Sequence, residues 1–100
     1  MMDGAVTWID AVYDLLSSAR RRHALYAIEE HGRLSVEQLA RRIADREAAA
    51  QLEPEDLGTV KATLLHNHLP RLAAHDVVEY DETRKLVTTG SQFDELRETL

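Results

Sequence analysis

The chain has no cysteine, two prolines, four glycines and five aromatic residues among its 100 positions. Without cysteine there is no disulfide, no thiolate nucleophile and no cysteine-ligated zinc or iron–sulfur centre, which points to a reducing interior. No apolar run approaches the ~18 to 20 residues that a membrane span needs. The first stretch, with Asp3 and no Lys or Arg before Arg20, lacks the pattern of a signal peptide. The expectation is a soluble cytoplasmic protein with no membrane partner. Gly4, Gly32, Gly58 and Gly90 are scattered and form no phosphate-cradling loop. There is no HExxH, no acidic metal cluster and no Ser/His/Asp arrangement on plausible elements, so neither an enzyme nor a metal or other cofactor is expected.

What is present suits one domain. A chain of this length buries ~60 to 70% of its unfolded surface, and 44% apolar with 30% charged residues is enough for a core without a disordered tract. Residues 1–100 read as a single unit, with a core over about 18–89 between an N-terminal helix at about 5–16 and a C-terminal helix at about 91–100. Twelve basic against eighteen acidic side chains leave a net charge of −6, which argues against a generally basic nucleic-acid coat. Between Arg20 and Arg46, however, seven arginines face only Glu29, Glu30, Glu37 and Asp45, a net +3. Ten of the twelve basic residues are Arg and thirteen residues are Ala, a composition that resembles halophilic archaeal proteins.

Apolar residues at Ala5, Trp8, Ile9, Val12, Leu15 and Leu16 recur at helical spacing and predict a helix over 5–16. Ser17 and Ser18 are candidate caps for a second helix, Ala19 to His31, closed by Gly32. After the extended pair Arg33-Leu34, Ser35 and Gln38 form a capping box for a third helix running to about Ala49. Gln51 to Gly58 reads as a connection, with Pro54 placed to start a helical turn. From Thr59 to Ala74 a wide apolar arc collects Val60, Leu64, Leu65, His68, Leu69 and Leu72, and Pro70 predicts a kink or tightened turn near His66. Val77–Tyr80 and Leu86–Thr89 read as strands of a hairpin around Asp81–Lys85. Ser91 is expected to cap a last helix bearing Phe93, Leu96 and Leu100.

The predicted fold is thus mainly α with a small β-hairpin, in the element order of a winged helix-turn-helix with flanking terminal helices. The segments AVYDLLSSARRR (Ala11–Arg22), HALYAIEEHGRLSVEQLARRIA (His23–Ala44) and LLHNHLPRLAAHDVVEYDETRKLV (Leu64–Val87) resemble the small winged-helix domains of unknown function found in haloarchaea. The phrase His68-Leu69-Pro70-Arg71-Leu72 with Asp76 to Asp81 is similar to the end of the recognition helix in arsenic-repressor-like regulators. Asp76 stands where those families usually carry Gly, a place that a residue tolerant of left-handed backbone accommodates.

That resemblance implies a dimeric regulator that binds double-stranded DNA. Thr59, Thr63, His66, Asn67 and Arg71 are the candidate base-reading face, Asn67 being able to grip adenine with two bonds. Arg84 and Lys85 on the hairpin, and more weakly Arg41, Arg42 and Arg46 on the third helix, are the candidate phosphate contacts. Two features oppose this reading: the acidic connection from Ala50 to Gly58 exceeds the ~3 to 4 residues of a compact helix-turn-helix, and the helix centre lacks Arg and Lys. The alternative is a protein-interaction module on the same fold. Trp8, Ile9, Val12, Leu15, Leu16, Phe93, Leu96 and Leu100 exceed the needs of a three-helix core and are the candidate homodimer interface.

Arg20-Arg21-Arg22 would sit unfavourably in a first helical turn, by ~0.3 to 1 kcal/mol each, which calls for phosphate or for Asp14, Glu29 or Glu30 as a partner. His66 and His68 point about 160° apart on a helix and cannot share a metal. His68 falls among leucines and reads as a core histidine with one nitrogen satisfied, whereas His66 faces outward.

Overall fold

A computed structural model describes residues 3–50 and 55–99, with side chains from Trp8 onward. The element order is α1 (Asp3–Leu16), α2 (Ala19–His31), β1 (Arg33–Ser35), α3 (Val36–Ala49), α4 (Leu57–Thr63), a π-helical turn (Leu64–His68), α5 (Leu69–Ala74), β2 (Val78–Asp81), β3 (Leu86–Thr89) and α6 (Phe93–Arg97). The molecule is mainly helical, with one three-stranded antiparallel sheet in the order β1-β3-β2. Pro54 and Leu100 lie outside the described residues, as does the side chain of Ala5.

The helix ends follow local chemistry. Ser18 is the N-cap of α2 and accepts from Arg21 N, while Gly32, at φ 73°, closes the helix with its N–H on Ile28 O. Both bonds of the Ser35–Gln38 capping box are present on α3. Asp56 caps α4 by accepting from Thr59 N, so the helix begins at Leu57 and takes Gly58 into its first turn. Near His66, where a kink or a tightened turn is expected, the helix widens instead. Pro70 has no N–H to give and its ring crowds the carbonyl four residues back; the helix accommodates it with a π turn in which Leu69 N reaches Leu64 O.

The expected hairpin forms, with Tyr80 opposite Val87 and Asp81 opposite Leu86. Asp81 Oδ1 accepts from Thr83 N at 3.0 Å and Arg84 N at 3.1 Å and so shapes the turn. The pair Arg33-Leu34 extends through Ser35 and becomes a third strand, Leu34 lying opposite Val87. Before β2 the chain leaves α5 through a Schellman arrangement, with Val77 N on Leu72 O and Asp76 N on Ala73 O, both at 3.0 Å. Asp76 is left-handed at φ 60°, the conformation that usually selects Gly at this place.

One core joins all these elements. Leu15, Leu25, Ile28, Leu39, Ile43, Leu64, Leu69, Leu72 and Leu96 are its largest buried side chains, with Val60, Val77, Val78, Val87 and Phe93 around them. Leu15, Phe93 and Leu96 are therefore not interface residues, contrary to expectation: the terminal helices spend them on the chain's own interior. Ser91 does not cap α6 either. The N-cap position is Gln92, without a side-chain bond, and the helix start is set by main-chain bonds from Gly90 N to Val77 O and from Gln92 N to Asp76 O, both 2.8 Å.

Candidate nucleic-acid interface

The helix running from α4 through the π turn to α5 buries Val60, Leu64, His68, Leu69 and Leu72 and turns Thr59, Ala62, His66, Asn67, Pro70 and Arg71 outward, with Thr63 half-buried. The predicted base-reading residues thus share one stripe. No Asp or Glu occurs between Asp56 and Asp76, a span that holds the cations Lys61 and Arg71. In a chain of net charge −6 this is a local reversal of sign. Lys61 was missed by sequence reasoning, which looked for cations at the centre of the polar arc; the carboxylate-free run would have drawn attention to it.

The stripe is ordered by its own hydrogen bonds. Thr59 Oγ1 donates to Asp56 Oδ2 at 3.0 Å and Thr63 Oγ1 to Thr59 O at 2.8 Å. The Thr59 N–H bond holds the exposed Asp56 carboxyl below the usual carboxylate range. Arg71 Nε donates to Asn67 Oδ1 at 2.9 Å, and Arg71 Nη1 donates to Asp14 Oδ2 at 3.1 Å. Arg71 is therefore paired with a carboxylate of α1.

The hairpin cations divide. Lys85, left-handed at φ 56°, borders a groove of about 380 Å³ with Ser35, Val36, Glu37, Lys61 and Leu65, beside α4. Its carbonyl accepts from Val36 N at 3.0 Å and ties the hairpin to the start of α3. Arg84 lines a separate depression of about 230 Å³ with Arg33, Glu79 and Thr88 on the outer face of the sheet. On α3, Arg41 is exposed and 3.5 Å from Glu37, and Arg42 is exposed with no ion pair among the described residues. Arg46 is 3.0 Å from Glu30 and stacks 5.2 Å from the Tyr26 ring centre, so it serves the packing of α2 on α3.

The Arg20–Arg22 run is structural: its partners are Glu47, Glu55 and the carbonyls that end α1, Asp14 among them, rather than Glu29 or Glu30. Arg20 grips Glu47 through Nε and Nη2 at 2.9 and 3.0 Å and reaches Glu55 at 2.6 Å. Arg21 donates to the carbonyls of Leu15 and Asp14 at the end of α1, at 2.9 and 2.8 Å, and Arg22 donates to that of Leu16. The α1–α2 hairpin thus places α2's first-turn cations against the negative end of α1. Arg21 Nη1 also lies 3.2 Å from Nδ1 of His68. Burial, followed by the charges of Arg21, Arg20 and Arg71, lowers His68 to about 4.

Trp8, Val12 and Leu16 are half-buried against the core, while Ile9 is 52% and Tyr13 74% exposed. With Thr99 they line a groove of about 470 Å³ along α1. No group of three or more His, Asp or Glu placed to hold a metal ion, and no helix long and apolar enough to cross a membrane, occurs among the described residues.

Fold and surface together define a small helix-rich domain with a three-stranded antiparallel sheet and one helical stretch that has no carboxylate of its own between Asp56 and Asp76, its cations Lys61 and Arg71 meeting Glu37 and Asp14 from neighbouring elements. The chain belongs to a family described as a domain of unknown function, DUF7344, whose model matches residues 13–88. That match runs from the last turn of α1 to β3 and leaves α6 and most of α1 outside. No curated protein and no solved structure matches the chain.

Proposed function

We propose that this chain is a winged helix-turn-helix of the arsenic-repressor-like kind and that it binds double-stranded DNA as a homodimeric transcriptional regulator. The observation that carries the reading is the stripe Thr59, Thr63, His66, Asn67 and Arg71, on a helix with no Asp or Glu of its own between Asp56 and Asp76, followed by a hairpin whose turn brings Arg84 and Lys85 beside Asp81 and Glu82. The stripe enters the major groove, where its short polar side chains reach base edges. Lys61 and Lys85 meet the backbone from the groove between α3, α4 and the hairpin, and Arg84 meets it from the outer sheet face. Dimerisation runs through Trp8, Ile9, Val12, Tyr13 and Leu16 of α1, giving the two-fold arrangement that two half-sites require. The arginine-rich, acidic composition suits a halophilic archaeal cytoplasm.

Binding to random-sequence duplex DNA across a salt series tests the reading. Each neutralised phosphate contributes about −0.9 to the slope of log affinity against log salt, so Lys61, Arg84 and Lys85 together predict a slope of about −3. Failure to bind at low salt refutes it. A second reading, a protein-interaction module on the same fold, is favoured by one observation: the apolar α1 groove with exposed Ile9 and Tyr13. Under it the chain associates through α1 and ignores DNA.

A further inference from the structure

We propose that Asp14, on α1, is a positioning residue for base recognition, acting through Arg71 to fix the orientation of the Asn67 amide. The inference rests on the DNA-binding reading and deepens it. Three side chains from two elements form the relay: Asp14 Oδ2 accepts from Arg71 Nη1 at 3.1 Å, and Asn67 Oδ1 accepts from Arg71 Nε at 2.9 Å. Because a guanidinium only donates, its partner on Asn67 is the carbonyl oxygen. That fixes the flip of the amide. The oxygen is held by Arg71, and Nδ2, with no partner among the described residues, is the edge left for a ligand.

An exposed ion pair alone would be a weak restraint. Here the framework beneath it is fixed. The carbonyls of Asp14 and Leu15 are bonded to Arg21, and the same guanidinium reaches Nδ1 of His68 in the π turn that also carries Asn67. The last turn of α1 and the π turn are thus held together by a buried cation, and the surface relay inherits that spacing.

The chemistry selects a base. Adenine gripped by both ends of an Asn amide needs the oxygen to accept from N6 and the nitrogen to donate to N7. The oxygen keeps a second lone pair, but the bond from Arg71 turns it toward the guanidinium and leaves the Nδ2 donors as the free edge of Asn67. Guanine presents two acceptors, O6 and N7, in the major groove and adenine presents one, so the relay favours guanine at the position Asn67 meets. Releasing the relay frees the amide to swivel toward the adenine grip.

The test is selection from a random duplex pool with the full chain and with Asp14→Asn, together with the side-chain amide signals of Asn67 in both proteins by nitrogen-15 NMR. The expected result is a guanine-containing site for the parent, a fall of about five- to tenfold in its guanine-to-adenine preference in Asp14→Asn, and displaced Asn67 amide signals. Melting temperature and the affinity ratio between random pools stay level, which separates positioning from a general structural role. A parent that selects a site, with an unchanged base preference in Asp14→Asn, overturns the inference and leaves DNA binding standing. A parent that selects no sequence overturns the DNA-binding reading, and base positioning with it.

Discussion

At the scale of single residues, a neutral imidazole lies against a buried guanidinium. His68 offers Nδ1 to Arg21, and a proton there would place two cations 3.2 Å apart, so the folded state lowers its pKa from 6.5 to about 4. The unfolded chain therefore binds more protons than the folded one between these values. The stability His68 confers is complete above about pH 6.5 and is lost as pH falls toward 4. His68→Gln, which stays neutral, should flatten the fall in unfolding free energy between pH 7 and 4.5; an unchanged slope would contradict this. Some slope will remain, because burial also lowers His23. The other buried ionic contact, Arg20 with Glu47 at side-chain exposures of 13% and 9%, predicts a loss of about 2 to 4 kcal/mol in Glu47→Ala by denaturant unfolding. Asp14→Ala, at the exposed pair, should cost ~0 to 1 kcal/mol. His68 was legible in the sequence because its place among leucines follows from helical spacing alone. The partners of Arg20 were not: Glu47 and Glu55 lie 27 and 35 residues away, the first brought near by the packing of α2 against α3 and the second by the course of the chain just ahead of α4.

At the scale of elements, the ends of α2 and α3 could be read because Ser18, Gly32 and the Ser35–Gln38 box act within one turn. The hairpin could be read for the same reason. The third strand could not, since three residues carry no periodicity, and its pairing with β3 depends on the return of the chain some fifty residues later. The π turn was half legible: Pro70 signals a disturbance, but whether the helix tightens or widens depends on what packs beneath it. Ser91 misled because a local capping signal yielded to main-chain bonds from a neighbouring loop. Those bonds give a sharp expectation. A Cβ on Gly90 would overlap the Asp76 carbonyl, a backbone atom that has no free end to move aside. Gly90→Ala should cost about 1 to 3 kcal/mol in unfolding free energy and loosen α6. Hydrogen exchange no faster in α6, with unchanged stability, would count against that account.

At the scale of the whole molecule, burial of Leu15, Phe93 and Leu96 reduces the candidate interface to α1, where Ile9 and Tyr13 stand clear of the core. Light scattering in low salt and in molar potassium chloride should give a dimer mass, and Ile9→Glu with Tyr13→Glu should give a monomer. A monomer at every concentration before mutation would contradict the α1 dimer. The sequence displayed its acidic total and its arginine cluster, of which Arg20, Arg21, Arg22 and Arg46 turned toward partners inside the fold while Arg33, Arg41 and Arg42 stayed exposed with the cations of the later helix and hairpin. That redistribution rests on the pairing of Arg20, Arg21 and Arg46 with partners on other elements. The central claim, that the stripe from Thr59 to Arg71 meets DNA with the hairpin beside it, is tested most directly by mapping backbone amide shifts as duplex DNA is added. The account predicts that the largest shifts fall on Thr59, Thr63, His66, Asn67 and Arg71 and on Arg84 and Lys85, with α1's outer face at Ile9 and Tyr13 unmoved. Shifts confined to α1, or none at low salt, would contradict it.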